Sequence, residues 1–131
     1  VATLAGCKDP DYKHVGAGQA QDEVKKVFVH HDIAAYTARI ADATRHHNEV
    51  AVGVSTRGNL ALLRAAQALA MVRGRDYVTA EDVRELAVPV LAHRLVLRGS
   101  VKTRTNQPAG IIEGILAEVS APTENWTEKG K

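Results

Sequence analysis

Hydrophobic positions recur with a helical period through the middle of the chain. Between about Asp32 and His47, Ile33, Tyr36, Ile40 and Ala43 follow one another at three- and four-residue steps, while Arg39, Asp42 and Arg45 fall elsewhere. That spacing lays the apolar residues along one helix face, and Asp32 is the expected N-cap. The next periodic stretch, Thr56 to Arg73, holds Leu60, Leu62, Leu63, Ala65, Ala66, Ala68, Leu69, Ala70, Met71 and Val72. A helix apolar around most of its circumference must be surrounded by others, so this one is expected at the centre. Gly74 follows as a C′ residue, and Arg73 suits the negative end of the helix dipole.

Thr79-Ala80-Glu81-Asp82 then reads as a capped start with acidic residues in the first turn. Val83, Leu86, Ala87, Val90 and Leu91 carry that stripe toward Leu95, with Pro89 expected to impose a bend or a restart near Val88. A last helix is predicted from Pro108 to Val119, using Ile111, Ile112, Ile115 and Leu116, and a short one from Gln21 to Val29. In Asn48 to Ser55 the period changes: Val50, Val52 and Val54 alternate around Gly53, predicting a short extended connection. Arg98 to Asn106 is a basic, polar connection with no period. These elements predict an all-α fold, a compact bundle of four to five helices over residues 21–119. Residues 1–20, broken by Asp9-Pro10-Asp11 and Gly16-Ala17-Gly18, are expected to form an irregular arm or linker. Residues 120–131, around Pro122 and Trp126, are expected to be a disordered tail.

Composition narrows the function classes. Apolar residues make up 45% of the 131 residues but aromatics only 4%, which favours helices packed closely through small side chains over a sandwich or barrel. A formal charge of +2 is small for a protein whose main work is covering phosphate backbone, so nucleic acid is disfavoured as a partner. No apolar run is long enough to span a bilayer and no signal peptide is evident, so the expectation is a cytoplasmic protein without membrane contact. Cys7 is alone, in keeping with a reducing compartment, and reads as an incidental thiol. The start at Val1 makes the chain look like an excised piece of something longer.

The chemistry centres on Gly53-Val54-Ser55-Thr56-Arg57-Gly58-Asn59-Leu60. Arg57 sits in the first helical turn, where a cation is disfavoured by roughly 0.3 to 1 kcal/mol. Free amides and a guanidinium at a helix start suit an anion, phosphate above all, with a solvated arginine as the bland alternative. His30-His31 and His46-His47 invite a metal hypothesis. They flank one predicted helix about 22 to 24 Å apart, and adjacent residues are expected to face different ways, so no metal site is assigned. Arg73 and Arg75 form a predicted turn at a tip that could meet a partner. His93-Arg94 is a second basic spot, and Arg94 joins Arg73 and Arg75 as a candidate interface residue. Tyr36 and Tyr77 read as core or rim aromatics. No catalytic dyad emerges.

Several stretches together resemble the C-terminal lid domain of MoxR-type AAA+ ATPases. They are Ala43-Thr44-Arg45, Val52 to Ala66, Arg73 to Val83 and Val90-Leu91-Ala92-His93-Arg94-Leu95, within a similarity running from about Asp22 to Val119. The resemblance implies that Arg57 is the sensor 2 arginine, reaching the γ-phosphate of ATP held with magnesium on a core domain, with Gly53 and Ser55 shaping the helix start. Thr56 stands where proline is common in the family. It further implies, as partners, the AAA+ core domain of the same polypeptide and neighbouring ring subunits. Client proteins with von Willebrand factor A domains are among those the family serves, in a chaperone-like remodelling machine. Whether Arg57 acts within its own subunit or across an interface stays open. The rival reading is a stand-alone helical interaction module or weak DNA binder.

The sequence has no G-x-x-x-x-G-K-[ST] phosphate loop and no hydrophobic strand ending in Asp-Glu. The chain alone is therefore expected to have neither ATPase activity nor a cofactor of its own, with ATP and magnesium belonging to the intact parent. Millimolar ATP should leave the melting temperature of the isolated domain unchanged; a rise of more than about 2 °C would reveal a complete binding site within it.

Overall fold

A computed structural model describes residues 16–99 and 107–123. Its elements are α1 (Ala17–Lys26), α2 (His31–His46), β1 (Val50–Val52), α3 (Thr56–Val72), α4 (Ala80–Leu91), a 3₁₀ turn (Ala92–Arg94), β2 (Val96–Leu97) and α5 (Gln107–Glu118). The helices form the predicted bundle. Most of the predicted irregular arm, the connection from Ser100 to Asn106, Cys7 and Trp126 lie outside the described residues. Among the described residues, no helix is long and apolar enough to cross a membrane.

The apolar composition of α3 makes it the hub: it packs against α1, α2 and α4, and α5 closes the bundle against α2 and α4. Its buried stripe is Gly58, Leu62, Ala66, Gln67 and Ala70, mostly small residues that let neighbouring backbones approach. The burial is not uniform, since Leu60 and Val72, near its two ends, remain 52% and 81% exposed. Gln67, a polar residue inside the apolar run, is buried and donates from Nε2 to the Val27 carbonyl at 2.8 Å. It thereby satisfies the chain at the point where α1 ends.

Three helix boundaries differ from the periodicity, and one is the end of α1 at Lys26, where Val27 turns extended, instead of at Val29. The first helix begins at Ala17, four residues before Gln21, because Gly16 and Gly18 are tolerated in and beside an exposed first turn. The N-cap of α2 is His30 instead of Asp32: its Nδ1 accepts from the Asp32 amide at 3.2 Å, a task usually given to a side-chain oxygen. Pro89 neither stops nor restarts α4, which runs on to Leu91 before tightening into the 3₁₀ turn. The ring is exposed, and proline forfeits only one ladder bond late in a helix that packing holds. The extended stretch gains a partner that periodicity did not indicate: β1 pairs antiparallel with β2, Val50 opposite Leu97 and Val52 opposite Val96.

The turn between α3 and α4 follows its residues closely. Gly74 has φ +74°, the Gly74 amide donates to Met71 O at 2.9 Å and the Arg75 amide to Ala70 O at 2.9 Å, which is a Schellman closure. Thr79 and Asp82 form a reciprocal capping box at the start of α4. Asp82 does more than cap. Its fully buried carboxylate receives both terminal nitrogens of Arg75, at 2.8 and 2.6 Å, and Nη1 of Arg73 at 3.1 Å. Arg73 also reaches Glu85 at 2.6 Å, and the Arg75 guanidinium lies 5.7 Å from the Tyr77 ring centroid. A further bridge joins Phe28 to Tyr77, with the Phe28 amide on Asp76 O at 2.7 Å and the Val78 amide on Phe28 O at 3.0 Å. That bridge fixes the α1–α2 connection to the same turn.

Burial alone would raise the Asp82 pKa, but the Arg75 hydrogen bonds, those of Thr79 and the Arg75 charge outweigh it and hold the carboxyl below its ordinary value. A depressed folded-state pKa contributes stability that is fully present above the unfolded value of about 4 and is lost as pH falls through the folded value. Replacing Asp82 by Asn is expected to cost about 3 kcal/mol near neutral pH, through the lost cap and two arginines left short of a partner. Urea melts at about pH 7 and about pH 3 test this, because the deficit should shrink at the acid end. An equal deficit at both would show that the carboxylate charge is not its source.

Candidate functional site

The start of α3 is built by the end of α2. Thr44, buried in the last turn of α2, donates its hydroxyl to Ala41 O at 2.6 Å and accepts the Val54 amide at 2.9 Å. Its neighbour Arg45 donates from Nε to the Val54 carbonyl at 2.9 Å. Both backbone polar groups of Val54 are thus held by one helix end, and the Val54 side chain is itself fully buried. Gly53 is required for this approach: a Cβ there would lie 2.7 Å from the Arg45 backbone. The chain then turns into α3 at Ser55, whose Oγ accepts the Gly58 amide at 3.2 Å as N-cap.

Arg57 projects from this anchored turn and is exposed. No acidic residue shares the first turn, and among the described residues no hydrogen bond or ion pair engages its guanidinium. Next to it Gly58 is buried. A Cβ on Gly58 would meet Val54 Cγ1 at 2.8 Å and Arg94 Cδ at 3.2 Å, so the stem of Arg94 lies across the same helix turn. Asn59 adds a buried Oδ1 without a hydrogen-bond partner among the described residues. The first turn of α3 therefore carries the Arg57 cation at the positive end of a helix, with the Arg94 stem across it and, among the described residues, no ion-paired carboxylate, an environment that favours an anionic group.

The other predicted residues fall elsewhere. Arg73 and Arg75 lie at the far end of α3, about 25 Å from its start, where their guanidinium groups engage Asp82 and Glu85 within the domain. Sequence reasoning placed them on a tip without seeing Asp82, because the acidic partner sits across the turn and is buried. Tyr36 is fully buried and Tyr77 is 37% exposed at the rim. The two histidine pairs do lie at opposite ends of α2. Within the first pair, however, the expected divergence fails: His30, His31 and Asp32 bring ring nitrogens and carboxylate within 4.8 Å of one another. The reason is that His30 has extended cap geometry, with ψ 147°, so helical side-chain spacing does not apply to it. A cleft of about 340 Å³ between α5 and the α2–β1 connection is lined by Glu49 and Glu118 with His47, Gly110 and Gly114, and its carboxylates oppose an anion.

The family model of the AAA lid domain matches residues 42–114, from the last turns of α2 into α5. This chain belongs to the AAA lid domain family. The lid is 38% identical over 104 residues to Uncharacterized protein YeaC of Bacillus subtilis, covering 79% of this chain and 32% of that protein. It is 39% identical over 107 residues to Chaperone MoxR1 of Mycobacterium tuberculosis, covering 75% of this chain and 28% of that one. A crystal structure of a candidate ATPase from Cytophaga hutchinsonii matches with TM-score 0.72 and 31% identity, over 78% of this chain and 34% of that chain. The chain spans about a third or less of each relative, and it corresponds to the lid region of MoxR-type AAA+ ATPases.

The two glycines of the site should respond differently to alanine. In Gly53→Ala the new atom meets Arg45 backbone, which cannot yield, and a loss of about 2 to 3 kcal/mol is expected. In Gly58→Ala the flexible Arg94 stem can move, and the gain in helix propensity of up to about 1 kcal/mol offsets part of the clash with Val54. Chemical denaturation of the two variants should therefore rank Gly53→Ala clearly below Gly58→Ala; the reverse order would show that Val54 is not held as described.

Proposed function

We propose that this lid senses the nucleotide of an adjoining AAA+ core domain, and that Arg57 is the residue that does so by meeting the terminal phosphate of ATP. The observation that carries this reading is the guanidinium on the first turn of α3, which no partner among the described residues engages, at a helix start fixed from behind by Thr44 and Arg45. Bound ATP with magnesium would supply the phosphoryl group whose transfer releases energy; the lid supplies charge and position. A guanidinium forks two donors toward phosphate oxygens, and its hold ends when the terminal phosphate leaves. Because Arg57 stands on the hub helix, a pull on it acts on the whole bundle as one body, the requirement for turning a local contact into domain rotation.

Around that device the proposal includes contact with the core of the same polypeptide and with neighbouring ring subunits, and work on other proteins. The name of the mycobacterial relative, a chaperone, supports such remodelling. Clients with von Willebrand factor A domains are the class the family resemblance suggests, and the cytoplasm is the compartment that fits.

The test uses the lid joined to its core domain. Arg57→Ala should lower ATP turnover at least about tenfold. The same substitution should leave the melting temperature of the lid unchanged or slightly higher, since it removes a cation from the positive end of a helix. Unaltered turnover and ATP affinity would retire the proposal.

A further inference from the structure

We propose that Arg94 is a second phosphate-binding cation at the start of α3, facing the same terminal phosphates as Arg57. This rests on the nucleotide-sensing reading of Arg57. Arg94 closes the 3₁₀ turn after α4, yet its Cδ lies 3.2 Å from the position where a side chain on Gly58 would begin, one residue beyond Arg57. Gly58 is buried in the first turn of α3, two residues after its start. The space it leaves is taken by the Arg94 stem and Val54.

The guanidinium is oriented as well as placed. Arg94 Nε donates to the Val90 carbonyl at 3.1 Å, which holds the plane of the fork to the end of α4. Its two terminal nitrogens have no hydrogen-bond partner among the described residues, and no ion pair engages the group. Arg57 stands at the positive end of α3 with no acidic residue in that turn, and the Arg94 stem lies across the same turn. A terminal phosphate, with several anionic oxygens, offers acceptors to both guanidinium groups. The neighbouring cation Arg45 is held in the same way, its Nε on Val54 O, but that carbonyl belongs to the anchor segment leading into α3. A purely structural role for Arg94, covering Gly58 and closing α4, needs its stem and Nε but not its terminal nitrogens.

The experiment measures dissociation constants for ATP and ADP in the lid joined to its core domain, together with melting temperatures. Arg94→Met keeps an apolar stem over Gly58 and removes the charge, whereas Arg94→Lys keeps stem and charge without the fork. We expect Arg94→Met to weaken ATP about tenfold and ADP less than about twofold, with Arg94→Lys between it and the parent. Arg57→Ala is measured beside them. If Arg57→Ala weakens ATP while Arg94→Met does not, the Arg94 assignment is wrong and the reading of Arg57 stands. Equal weakening of ATP and ADP by Arg94→Met, with or without a lower melting temperature, assigns Arg94 to structure and also overturns the proposal. If Arg57→Ala has no effect, the shared reading fails.

Discussion

The end of α2 holds one peptide unit of the chain on both sides, and the geometry of the site follows from that hold. Val54 gives its amide to Thr44 and its carbonyl to Arg45, with Gly53 pressed against the backbone behind it. A buried amide or carbonyl left without a partner is costly, so this short segment has one satisfactory position. From there the chain has to enter α3 at Ser55, and the direction of the first turn, with Arg57 on it, is set. The anchor also explains why a three-residue strand persists: Val50 and Arg98 add a backbone-directed bond of 3.0 Å beside the two-stranded pairing.

A second constraint operates at the opposite end of α3. Asp82 gathers Arg73, Arg75 and the Thr79 cap around one buried carboxylate, joining the end of the hub helix to the start of α4. The pair Phe28–Tyr77 then ties the α1–α2 connection to the same turn. The hub helix is therefore fastened at both ends, by hydrogen bonds to the Val54 backbone near the site and by ion pairs to a buried carboxylate far from it. In the proposed role of Arg57 this stiffness along α3 would matter, because a loose joint at either end would absorb the displacement of Arg57 locally.

Legibility in the sequence tracked how local the determining interaction is. The Schellman glycine at 74 and the Thr79–Asp82 capping box depend on residues a few positions apart, and they appear where their residue types predict them. The central place of α3 follows from an apolar circumference that only surrounding helices can cover. Asp32 was displaced as N-cap by His30 because an imidazole nitrogen can accept the same bond, a substitution that residue preferences do not anticipate. Pro89 was overruled by packing on both sides of the helix. Thr37 and Thr44 entered the buried face by returning their hydroxyls to carbonyls of their own helix, while Ala43, apolar but small, is only half-buried.

The chain by itself determined the helical elements, several of their caps and the hub, because these are written in periodicity and in short-range residue patterns, and its ordered motifs resemble the family to which the domain belongs. It also marked Arg57, as a cation placed against the helix dipole. Only the tertiary structure decided what surrounds that arginine. Thr44 and Arg94 come from separate elements, and nothing in their spacing states that they meet Gly53 and Gly58 at one helix start. Likewise Arg73 and Arg75 look like free charges on a turn until folding buries Asp82 between them. Whether a charge is engaged depends on long-range neighbours and on the water that burial removes, and both come into being only when the bundle closes.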